Sequence, residues 1–170
     1  MTPPMEPLVD TVIEDDRWEA FGLPALATRA AEATFATLGV HGVTLALMGC
    51  DDAEIARLNG EFRDKAKPTN VLSWPSEDRA AGEPGGLPDL SGGDDDDPDE
   101  LGDIAIAWDT CMAEAEAQGK SPQDHVTHLV VHGILHLLGY DHETDADAEL
   151  MEGTETRILA TLHIKDPYVT

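Results

Sequence analysis

Four histidines recur along one apolar stretch of this chain, and that recurrence constrains the fold more than any other feature. His125, His128, His132 and His136 lie in SPQDHVTHLVVHGILHLLGYDH, residues 121–142. On a helix turning ~100° per residue they fall within about 80° of arc. Leu129, Val130, Val131, Leu135, Leu137 and Leu138 flank them on both sides. Such a segment reads as a buried helix with a single polar stripe, and the rest of the domain must be built around it. Ser121 is placed to cap it, with Pro122 at its first position and Asp124 in its first turn. Gly139 is the expected stop, because a left-handed helix end is cheap for glycine alone.

The stripe has the chemistry of a metal centre. His132 and His136 are four apart and share a helix face. Past Gly139 the chain can turn back through Tyr140 and Asp141 and offer His142 to the same point. Three neutral imidazoles with a fourth position left open are the donor set of a catalytic rather than a structural zinc, so one zinc ion per chain is expected. His128 and His132 form an equivalent i, i+4 pair. The glycine stop favours His132, His136 and His142, leaving His128 and Asp141 to support the ligands from behind or to line the cleft.

The spacing also matches the zinc-protease pattern H-E-x-x-H-x-x-G-x-x-H, except that Gly133 stands where that pattern has its glutamate base. A metalloprotease is therefore a weaker reading than the ligand spacing alone suggests. Asp141 or Asp103 is a candidate to orient a ligand imidazole or to replace the base. Gly133 itself predicts close approach of the sheet or of another helix.

Composition narrows the substrate. A net charge of −25 excludes bulk attraction to nucleic acid, so an anionic substrate would need a concentrated cationic spot. Arg63, Lys65 and Lys67 supply one, being three of only ten basic residues. They read either as an exposed charged turn or as an edge that binds phosphates. Residues 76–100 hold ten acids against one arginine and are rich in glycine and proline, which predicts a flexible acidic insertion. Cys50 and Cys111 form no C-x-x-C and suggest small buried thiols in a reducing compartment. No secretory signal or long apolar span is visible, so a cytoplasmic location and no membrane are expected. Neither G-x-G-x-x-G nor a P-loop occurs, which removes nucleotide cofactors from consideration.

Strands are expected at residues 8–14, 43–48, 69–74 and 101–108, and helices at 22–39, 51–62, 109–118, from 121 onward, and 145–162. In the last helix, Leu150, Met151, Ile158, Leu159 and Leu162 are the expected buried positions. The result is one α+β domain spanning residues 1–170. Its mixed sheet of about four strands is covered by about five helices, with the zinc site on a central helix.

Four collinear blocks then carry a family resemblance: residues 58–75 (LNGEFRDKAKPTNVLSWP), 101–106 (LGDIAI), 118–142 (QGKSPQDHVTHLVVHGILHLLGYDH) and 166–168 (DPY). The chain resembles the YbeY-type bacterial rRNA maturation factors, a zinc-dependent single-strand endoribonuclease family. The acidic stretch at 80–100 departs from the compact family pattern as an insertion. The resemblance implies zinc on His132, His136 and His142, and a role for Arg63 in RNA processing. It also implies single-stranded rRNA and the small ribosomal subunit as partners, with 16S rRNA 3′-end maturation and small-subunit quality control as the task. Lys65 and Lys67 would position flanking phosphates. A noncatalytic ribosome-assembly factor with a structural zinc is the remaining alternative; it conflicts with a three-ligand site, which a structural zinc would complete with a fourth protein ligand.

Overall fold

Alternating apolar residues build the sheet. In β2 (Val43–Cys50), Val43, Leu45 and Leu47 are buried while Thr44, Ala46 and Met48 are only half-buried. The same alternation in β4 (Asp99–Ala107) sends Ile104 and Ile106 to one face and Ala105 and Ala107 to the other. A computed structural model describes residues 8–63, 68–76, 99–140 and 144–165. Within them, β1 (Val9–Ile13) and β4 lie parallel to β2, and β3 (Val71–Pro75) pairs antiparallel with β4, giving the order β1-β2-β4-β3. The architecture is α+β, a mixed four-stranded sheet with six helices among the described residues.

The main core fills one face. There α2 (Leu23–Leu38), α5 (Pro122–Leu137) and α6 (Asp145–Thr161) bury Leu26, Phe35, Val130, Ile134, Met151 and Ile158 against the inward side chains of β2 and β4. On the other face, α3 (Asp52–Arg63) covers a smaller cluster in which Ile55 meets Cys50, Leu72, Ala105 and Ala107. α4 (Trp108–Gln118) leaves the end of β4 and leads into α5. None of the helices in the described residues is long and apolar enough to cross a membrane.

The sequence expectations hold for every helix and strand they named, with shifted ends. A sixth, short helix, α1 (Arg17–Phe21), was not anticipated. It is held by aromatic packing: Trp18 is fully buried, meets Phe21 and Trp108 edge-on at centroid distances of 5.5 and 5.0 Å, and donates its indole N–H to the Cys50 carbonyl at 2.9 Å. β4 starts at Asp99, so Asp99 and Glu100 belong to the sheet rather than to the acidic insertion. They pair with Val43 and Thr44 at the strand's entry, where their side chains remain at least partly exposed. The rest of that insertion, residues 77–98, lies outside the described residues. Both cysteines are free and buried. Burial pushes the Cys50 thiol up to about 12 and raises the Cys111 thiol as well, so both stay protonated at neutral pH.

Trp18 is thus the anchor that short-range pattern did not show. Trp18→Ala should lower the unfolding free energy by about 3–5 kcal/mol in urea titrations. Trp18→Phe should cost less, mainly the loss of the partner for the Cys50 carbonyl. A loss below about 1 kcal/mol for the alanine variant would contradict the anchoring role.

Candidate metal centre

Helix α5 starts as its first residues dictate. Ser121 is extended and its hydroxyl accepts the Asp124 backbone N–H at 3.1 Å, with Pro122 next in line. At the other end, Gly139 takes a positive φ of 106°, and Tyr140 donates its backbone N–H to the Leu135 carbonyl at 3.0 Å. The expected glycine stop is present. Between these ends Val126, Val130, Val131, Ile134, Leu135 and Leu137 are fully buried, which leaves the histidine stripe as the helix's polar face.

Two carboxylates from neighbouring helices meet that stripe. His125 is buried and its Nε2 lies 3.0 Å from Glu114 Oε1 on α4. Asn70, just before β3, donates its side-chain amide to the same oxygen at 3.0 Å. One to two turns further along, Glu155 of α6 is fully buried and takes two imidazoles. Its Oε1 is 2.6 Å from His132 Nδ1, and its Oε2 is 2.9 Å from His128 Nε2. The other nitrogen of His132, Nε2, lies 3.1 Å from His136 Nε2. Two imidazole nitrogens on one tetrahedral zinc would sit about 3.3 Å apart, given bond lengths of about 2.0–2.1 Å. These two rings therefore already converge as a shared cation requires. His128, His132 and Glu155 also bring three ligand atoms within 4.8 Å of one another, and that group could hold a metal ion.

The structure brings His132 and His136 together and sets His128 beside them, joined through Glu155. His142 and Asp141 lie outside the described residues, as do Lys65 and Lys67. Arg63 is the last residue of α3, and its side chain is likewise outside them. Asp103 is a correction: Ile104 beside it faces α5, so Asp103 projects from the opposite face of β4, where it is exposed, and cannot orient a ligand on α5. Glu155 escaped the sequence reading, although the signal was there. It falls four residues after Met151 and three before Ile158, a lone carboxylate on the stripe chosen as buried. Glu114, three residues after buried Cys111 on α4, was missed too.

Gly133 is explained by contact. A Cβ there would lie 3.1 Å from Ile104 Cδ1, so the missing side chain lets α5 settle directly on β4. The position is buried, and any side chain there would have to push Ile104 aside.

Comparison with known proteins places the chain in one family. The family model described as Endoribonuclease YbeY matches residues 11–163. A Cereibacter sphaeroides protein named Endoribonuclease YbeY is 66% identical over 167 residues, covering 96% of this chain and all of that one. A Paracoccus denitrificans protein of the same name is 58% identical over 161 residues, covering 95% of this chain and 90% of its own. The solution structure of TM1509 from Thermotoga maritima matches with a TM-score of 0.55 at 20% identity, over 95% of this chain and 99% of that one, a likeness of fold.

The packing at Gly133 yields a sharp expectation. Gly133→Glu, which would complete the protease pattern, should destabilise the protein by about 3 kcal/mol or more in chemical denaturation, through overpacking and a buried charge. It should confer no cleavage of casein. A stable variant with peptidase activity would contradict this account of the position.

Proposed function

This chain belongs to the YbeY endoribonuclease family, and on that premise we propose that it is a zinc-dependent endoribonuclease that cuts single-stranded RNA. The reading extends to 16S rRNA 3′-end maturation and small-subunit quality control in the cytoplasm, with one domain carrying the whole activity. His132, His136 and His142 would hold the zinc. The observation that carries the proposal is the approach of His132 Nε2 to His136 Nε2 at 3.1 Å, on a helix that ends in a glycine stop three residues before His142. The residues fit the ion in kind as well as spacing, because a carboxylate lies behind one imidazole.

Held there, zinc supplies Lewis-acid polarisation in a chain whose own charge is −25. The protein's side chains do the rest. Arg63 presents a guanidinium fork suited to two oxygens of one phosphate, and it neutralises charge that grows on them as the phosphodiester is attacked. Lys65 and Lys67 bind the phosphates on either side, so the strand is fixed by its backbone rather than by base sequence. Concentrating these cations in one short segment is what allows an acidic protein to take an anionic polymer at all. The absence of a glutamate at position 133 fits a phosphodiester substrate better than a peptide.

Two variants separate binding of the ion from chemistry. His136→Ala should lose zinc in elemental analysis of the purified full-length protein and lose cleavage of a single-stranded RNA oligonucleotide with it. Arg63→Glu should keep zinc at the wild-type level and lose cleavage by about 100-fold or more. Normal cleavage by the Arg63 variant would refute its catalytic assignment, and cleavage that persists in His136→Ala would mark a contaminating nuclease or a metal-free enzyme.

A further inference from the structure

We propose that Glu155 is a positioning residue for the metal centre: it fixes His132 as a ligand from behind, and His128 in turn fixes Glu155. The proposal rests on the reading of His132 and His136 as ligands; it adds Glu155 of α6, which the sequence pattern did not assign, and gives the supporting role expected of His128 a contact to act through.

The geometry distinguishes this role from direct ligation. His128, His132 and Glu155 together could take a cation. However, His132 Nδ1 and Glu155 Oε1 are only 2.6 Å apart. Two donors on one tetrahedral ion would stand about 3.3 Å apart, whereas these two atoms are in direct hydrogen-bond contact. With the carboxylate oxygen as acceptor, the proton of that bond sits on Nδ1 and the lone pair of His132 is left on Nε2. Nε2 is the atom that faces His136. Glu155 thereby selects the tautomer able to bind a metal and holds the plane of the ring.

His128 completes the device. Its Nε2 is 2.9 Å from Oε2, so each oxygen of the carboxylate has an imidazole and the group cannot rotate away. Glu155 is fully buried, while the side chains of His128 and His132 remain 13% and 24% exposed. The carboxylate is therefore the more deeply buried partner, and the imidazoles lie nearer the surface.

The test uses the full-length protein and zinc alone. Chelator competition should show Glu155→Gln binding zinc about 10–100-fold more weakly than the wild type. With cobalt(II) in place of zinc, its visible bands should keep the wild-type positions, because the ligand set is the same. His128→Gln should weaken zinc severalfold and add little on top of Glu155→Gln, as expected for one chain of contacts. His128→Gln alone carries the test if the Glu155 variant does not fold. Wild-type affinity in these variants overturns the positioning role, and shifted cobalt bands in Glu155→Gln overturn it in favour of direct ligation; either result leaves the His132–His136 site standing. A wild-type protein that takes up no zinc defeats the metal reading itself.

Discussion

A helix buried on its apolar flanks can keep a polar stripe only if other elements bring partners to it, and that requirement organises this molecule. Each imidazole of α5 that leaves water has to find a hydrogen-bond partner at a cost otherwise of roughly 1–3 kcal/mol per unsatisfied group. Glu114 of α4 meets that need at one nitrogen of His125, and Glu155 of α6 at one nitrogen each of His128 and His132. Asn70 extends the first of these contacts to the start of β3. The packing of α4 and the sheet edge on α5 is therefore tied to His125, and that of α6 to the contact that orients His132. Removing the imidazole partners of Glu155 would leave a fully buried carboxyl group unsatisfied, which is more damaging than losing a surface contact.

The site's electrostatics follow from the same arrangement. A chain this acidic repels RNA at long range, so the substrate has to be captured locally by cations. Arg63, Lys65 and Lys67 are clustered in sequence, and on the proposed reading the metal adds a further positive centre. Binding should then depend on a few close contacts rather than on the protein's overall field. Gly133 serves the same end by mechanical means: it lets α5 lie against Ile104, which holds the histidine stripe at a fixed height above the sheet.

Much of this was legible in the sequence because its signals are local. Ser121, Pro122 and Gly139 mark the ends of α5 through backbone chemistry that depends on few neighbours, and His132 and His136 had to share a face on any helix. The sheet strands showed their alternation directly. α1 was hidden because five residues are too few to display a helical period, and its support comes from Trp108, distant in sequence. The first residues of β4 were hidden by composition: Asp99 and Glu100 look like the acidic run before them, yet a strand's partly exposed entry tolerates them. Asp103 was misjudged because facing depends on register, which Ile104 reveals only once it is seen against Gly133. Glu155 and Glu114 were readable as polar interruptions of apolar stripes, but which imidazole each would meet depends on how three helices pack.

X-ray absorption at the zinc edge of freshly isolated, untagged, full-length protein tests the central claim most directly. The account predicts one zinc per chain, bound by three imidazole nitrogens at about 2.0–2.1 Å with a light oxygen donor completing the shell. A protein that holds no zinc and takes none up, or a shell built mainly from carboxylate oxygens or thiolates, would contradict it.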